Sequence, residues 1–192
     1  VVIPDNVTTV GGEAFAGCTS LKTIVFGANV TTLGDGVLRG CTSLAEVSLP
    51  KKLTIIPHSC FVNCPALSKV ILPEGLTTIQ SYAFENCSSL QTIQLPSTIR
   101  VMTQAFAGCT GLVEVEIPEG VSILDNTFIN CPNLSKVTLP SSLTTIGTQA
   151  FAYCRNLVSL HIPSGVTNIG SSAFRECIAL SNIVLPNGLT TL

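Results

Sequence analysis

The chain has 192 residues, of which 46% are apolar and only 10% are Asp, Glu, Lys or Arg, against roughly 25% charged in an average soluble protein. A net charge of −2 gives no electrostatic pull toward nucleic acid or an anionic membrane, so neither is expected as a partner. No run approaches the roughly 18 apolar residues of a membrane span. No signal peptide is visible, and the chain opens on Val1-Val2-Ile3-Pro4 rather than Met, which reads as a segment of a longer protein.

Eight cysteines set the organisation, at 18, 41, 64, 87, 109, 131, 154 and 177, with spacings of 23, 23, 23, 22, 22, 23 and 23. We number the coils 1 to 8 by these residues. Around each Cys the other positions keep phase. Phe stands three before it and Leu three after, Ile, Val or Leu six after, Leu, Ile or Phe eight after, and Pro nine after. The repeat reads A-F-x-x-C-x-x-L-x-x-I-x-L-P-x-x-L-T-x-I-G-x-x, a period that marks a solenoid in which each coil contacts only its neighbours.

Taken in chain order, the departures are few. Coil 1 has Gly27 where later coils have Pro, coil 2 has Leu38 in place of Phe, and coil 3 has Cys60 where others have Ala. In the fourth and fifth coils, Pro96 to Cys109 and Pro118 to Cys131 span 13 residues instead of 14, the missing residue lying just before Phe106 and Phe128. That stretch tolerates a length change as a loop does, whereas the Cys-to-Pro segment never varies, as expected of a strand in a continuous sheet. Gly or Asn precedes Cys in the first six coils, where φ above zero is expected. Tyr153 and Glu176 replace them in the last two, which predicts a strained or different turn there.

Within a coil, L-x-x-I-x-L alternates around β-branched residues and predicts a short parallel strand. Pro then ends the ladder, having no N–H. Pro73-Glu74-Gly75, Pro118-Glu119-Gly120, Pro163-Ser164-Gly165 and Pro186-Asn187-Gly188 carry turn chemistry. T-x-I, as in Thr77-Thr78-Ile79, predicts a shorter extended segment on the opposite side, and A-F-x-[GN]-C a tight turn or a 3₁₀ turn. The expected fold is a right-handed leucine-rich-repeat superhelix, one domain over 1–192, with about eight repeats of 22–23 residues, a parallel sheet of short strands, and turns with 3₁₀ pieces on the other side.

Motifs such as Ala83-Phe84-Glu85-Asn86-Cys87-Ser88-Ser89-Leu90, with Ile93-Gln94-Leu95-Pro96, resemble the BspA-type leucine-rich repeats of bacterial and trichomonad surface proteins over the whole chain. The commoner leucine-rich pattern places Asn three residues after the last strand Leu. Here that place varies from Lys52 to Gly75, Thr98 and Ser142, so no Asn ladder is expected. The resemblance implies a cell-surface or secreted protein with an adhesion or host-contact role.

Several residues are of types that can carry chemistry, and each also has a structural role open to it. Eight cysteines in one phase would stack about 4.8 Å apart with parallel Cβ vectors, which suits small buried thiols better than disulfides. Cys60 reads as another small core residue. Zinc needs local C-x-x-C pairs or nearby His, which are absent, so no metal or cofactor is expected. Glu114 and Glu116 share one strand face at a spacing a glycosidase pair could use. Lys136 should stand beside Glu114, however, as Lys69 beside Glu46, which is ordinary cross-strand pairing. His161 faces outward beside Thr138 and Val184 without an orienting acid, and His58 falls in a turn. The chain is therefore read as no enzyme. Asn6, Asn29, Asn86 and Asn133 begin N-x-[ST] sequons, which a Thr- and Ser-rich repeat produces by chance.

What remains is the outward side of the strand face. Its distinctive residues, Val25, Glu46, Lys69, Ile71, Gln94, Glu114, Glu116, Lys136, His161 and Val184, form the expected protein-binding surface, toward a host or matrix protein. The competing reading is a rigid spacer displaying other domains, which predicts uniform Ser and Thr at these positions. The terminal coils carry no polar cap, so residues 1–10 and 185–192 are expected to leave apolar edges covered by more chain or by end-to-end self-association.

Overall fold

A computed structural model describes residues 1–192. The first strands in chain order are β1 (Thr9–Val10), β2 (Thr32–Leu33), β3 (Glu46–Ser48), β4 (Ile55–Ile56), β5 (Lys69–Ile71) and β6 (Thr78–Ile79). They are followed by β7 (Glu114–Glu116), β8 (Ile123–Leu124), β9 (Lys136–Thr138), β10 (Thr145–Ile146), β11 (Ser159–His161), β12 (Asn168–Ile169) and β13 (Asn182–Val184). All pairings are parallel and join equivalent residues of successive coils, as in Glu46↔Lys69 and Ile55↔Thr78. The three-residue strands occupy the Cys-to-Pro segment, and the two-residue strands occupy the T-x-I segment on the other side. No helix is present. The molecule is a solenoid of about eight coils with two strand faces.

Like side chains pile into columns, because a coil too short to bury its own apolar residues buries them against the coils on either side. Leu44, Leu67, Leu90, Leu112, Leu134 and Leu157 are fully buried, with Leu21 and Leu180 half-buried in the terminal coils. Phe61, Phe84, Phe106, Phe128, Phe151 and Phe174 stack with ring centroids 5.2–5.8 Å apart, a separation at which aromatic rings attract. These columns belong to one core cluster of 48 buried residues running through every coil.

The backbone ladder does not follow the expected plan. On the long-strand face pairing occurs in groups: Val2 with Val25, β3 with β5, Thr92 with β7 and β7 with β9, and β11 with β13. No pairing joins Val25 to β3, β5 to residues 92–94, or β9 to β11, so this sheet is interrupted and His161 pairs with Val184 but not with Thr138.

The continuous ladder lies instead in the A-F-x-x-C turns. There the residues five, three and one before each Cys donate to the next coil, as Ser59 N–H to Ser81 O, Phe61 N–H to Ala83 O and Asn63 N–H to Glu85 O. The three bonds recur at every one of the seven junctions. Intervening residues turn inward and donate three residues back, as Val62 N–H to Ser59 O and Cys64 N–H to Phe61 O. This alternation, rather than a 3₁₀ helix, forms the turn. It requires φ above zero both five residues and one residue before Cys, as at Ser59 (56°) and Asn63 (57°). Tyr153 (65°) and Glu176 (58°) adopt the same conformation as Gly and Asn elsewhere, so the last two turns are not different: the ladder holds non-glycine residues in the left-handed region.

Candidate functional site

The nine thiols are all unpaired. Seven of them donate to the carbonyl three residues before the preceding coil's Cys, as Cys87 Sγ to Phe61 O at 3.2 Å and Cys109 Sγ to Phe84 O at 3.1 Å. Burial pushes these thiols up, Cys41 to about 11 and Cys64 to about 12, so they stay protonated and unreactive at neutral pH. Cys18, in the first coil, departs from the buried column and is exposed.

The outward residues of the long-strand face are solvent-exposed, consistent with the alternating pattern of each strand. Lys69 Nζ lies 3.9 Å from Glu46 Oε2, and Lys136 Nζ lies 3.5 Å from Glu114 Oε2. Both are exposed cross-strand pairs of modest strength, and Lys136 occupies the flank of Glu114 that a catalytic partner would need. His161 lies outside the central hollows described next. His58 is on the far side, edge-on to Tyr82 at 5.4 Å.

Two adjoining concavities, of about 610 and about 540 Å³, open on the middle of this face. The larger spans coils 4 to 6, with Thr92, Gln94, Glu114, Glu116, Glu119 and Lys136 among its walls. The smaller follows the unpaired seam between coils 3 and 4, past Lys69, Ile71 and Glu74. They share residues 92–95 and Ser97. No N–H of residues 91–95 makes a well-formed backbone hydrogen bond.

Of the ten face residues singled out from sequence, Lys69, Ile71, Gln94, Glu114, Glu116 and Lys136 line these hollows. Val25, Glu46, His161 and Val184 lie apart from them. Sequence reasoning passed over the rim residues Glu74, Ser97 and Glu119, which follow the strand-ending prolines. Their signal was the Pro-Glu-Gly of coils 3 and 5, taken as turn chemistry alone.

Glu119 is held rigidly. Its carboxylate accepts from Ser141 N–H at 2.9 Å, Ser141 Oγ at 3.1 Å and Ser142 N–H at 3.2 Å. These donors, the Ser141 N–H foremost, lower its pKa and keep it ionised. Beneath it, Arg100 Nη1 reaches Ser97 O and Ile99 O at 2.8 Å and Glu119 O at 3.2 Å. The Arg100 side chain packs against Gly120, whose φ of 96° and lack of a Cβ permit the contact.

Stacked coils with leucine and phenylalanine columns, and no cluster of metal-ligating groups, define a leucine-rich-repeat solenoid. The chain belongs to the BspA type leucine-rich repeat family, whose profile matches six copies across residues 1–112 and 97–192. A leucine-rich repeat protein from Bacteroides ovatus is 32% identical with a TM-score of 0.79, the match covering all of this chain and 56% of that protein. The chain thus spans little more than half of it. The T. pallidum leucine-rich repeat protein is 31% identical with a TM-score of 0.74, over 82% of this chain and 77% of that one. A leucine-rich cell surface protein of Faecalibacterium prausnitzii, 24% identical over 99% of this chain and 73% of that one with a TM-score of 0.51, shares the fold. No curated protein matches the chain.

Proposed function

We propose that this segment is a protein-binding module of a cell-surface adhesin, engaging a host or matrix protein through the centre of the long-strand face. One observation carries the reading. The two hollows lie at coils 3 to 6, where outward residues depart from Ser and Thr toward Lys69, Ile71, Gln94, Glu114, Glu116 and Lys136. A spacer has no use for such side chains gathered around two hollows, while Val25, Glu46, His161 and Val184 depart from Ser and Thr singly elsewhere. The Faecalibacterium relative, described as a cell surface protein, agrees with an exterior location.

The test is capture of matrix and surface proteins by the isolated segment, repeated with Lys69→Glu and Glu114→Lys. A partner whose binding is altered in either direction by these exposed substitutions supports the reading. A partner that binds both variants as well as the parent moves the site off this face.

A further inference from the structure

We infer that the central hollows take a basic segment of the partner protein, with Lys or Arg three residues apart in an extended run. This rests on the protein-binding reading above and specifies its ligand. Four carboxylates line the two concavities, Glu74, Glu114, Glu116 and Glu119, against two amines, Lys69 and Lys136. Both amines are already engaged, Lys69 by Glu46 at 3.9 Å and Lys136 by Glu114 at 3.5 Å. Glu74 in the smaller hollow and Glu116 in the larger are left without a cation, while Glu119 has the Arg100 guanidinium against its backbone carbonyl. The whole chain carries 11 acidic and 9 basic residues, a net charge of −2, and the four carboxylates against two lysines along the adjoining hollows match that whole excess. The remaining surface is close to neutral, and the hollow is the place where a cation is drawn.

Geometry sets the spacing. Glu74 and Glu119 each follow a strand-ending Pro, two coils apart, hence about 10 Å apart at the usual strand separation. A polyproline II segment advances about 3.1 Å per residue with three residues per turn, so side chains at i and i+3 lie on one side and match this interval. A peptide lying along the solenoid axis passes over Ser97 between the two carboxylates, with Glu116 beneath it. Glu119 is pre-ordered by Ser141 and Ser142, which lowers the entropy lost on binding.

The experiment titrates the intact 192-residue chain with a fluorescent Ser peptide carrying Lys at every third position, and with the same peptide carrying Glu. Saturable binding of the Lys peptide, weakened by added salt, is expected. Glu74→Gln and Glu116→Gln, both exposed and free of internal partners, should each weaken it by about twofold to fivefold. Glu176→Gln, exposed in the turn of coil 8 and outside the hollows, should leave it unchanged. Equal binding of the two peptides, or a Lys peptide indifferent to Glu74→Gln and Glu116→Gln, overturns the inference. If the Lys peptide fails while binding of a captured protein is still altered by Lys69→Glu or Glu114→Lys, the basic-segment inference falls and the binding face stands. If neither depends on the face, both fall.

Discussion

The carbonyl of Phe84 accepts two hydrogen bonds, from Cys87 N–H in its own coil and from the Cys109 thiol in the next. That double demand explains why this position takes Cys: Ala has no donor, and Ser would exchange a weakly polar, apolar-tolerant sulfur for a strongly solvated hydroxyl. It also fixes how stability responds to pH. Desolvation raises the folded-state pKa of Cys41 to about 11 and Cys64 to about 12, from 9.0. Below about pH 8.5 both states are protonated and stability is at its full value. As pH rises the unfolded chain ionises first, so stability falls, by about 1.4 kcal/mol per pH unit for each fully buried thiol. Urea midpoints measured from about pH 7 to pH 10.5 should be level and then drop; a profile flat to the end would contradict thiol burial.

The left-handed turn residues make a second test at this scale. Gly108 has φ 69° and a Cβ there would meet the Asn86 side chain, so Gly108→Ala should cost about 1–2 kcal/mol in chemical denaturation. Glu176→Gly, at φ 58° on an exposed residue, should change stability in the opposite direction by about 0.5–1 kcal/mol.

Among the elements, the phenylalanine column is the strongest tie between coils. Phe106 is fully buried between Phe84 and Phe128, whereas Phe174, at the end of the column, is only half-buried. Phe106→Ala should therefore cost about 3–5 kcal/mol, and Phe174→Ala distinctly less. Equal losses would mean the rings do not act as a column.

This column was legible in the sequence, since identical residues in one phase can only stack. The alternating turn ladder was not. Its left-handed residue five before Cys is Glu13, Gly36, Ser59, Tyr82, Gln104, Asn126, Gln149 or Ser172. No residue class marks that position, because the conformation is imposed by three inter-coil bonds and not by local preference. The shortened coils were half legible. The missing residue does lie before Phe106 and Phe128. It shortens the link from Met102 to the left-handed Gln104, and from Leu124 to Asn126, to two residues where Ile79 to Tyr82 spans three. What the sequence did not disclose is that short-face pairing stops between Val101 and β8, at the junction of these two coils.

Over the whole molecule, the continuous turn ladder and the interrupted long-strand sheet divide the labour. The turns hold the stack in register, and the strand face is released to vary in side chain and in spacing, which opens the central hollows. Alternation placed the outward residues correctly, but a hollow is a property of the assembled stack and of the side chains that flank it. At the two ends Val7 and Leu189 are only half-buried, at a core position where Val30, Leu53 and Leu76 are fully buried. End-to-end stacking of copies through these edges is part of the proposed behaviour of the isolated segment. Sedimentation should show association that grows with concentration and disappears with Val7→Lys; a monomer at every concentration would refute it.

The most direct test of the account is hydrogen–deuterium exchange of the segment, free and with a captured protein partner bound. The account predicts new protection at residues 91–97 and 113–119 and none at β4 or β8. Protection confined to β4 and β8, with residues 91–97 exchanging as in the free protein, would contradict it.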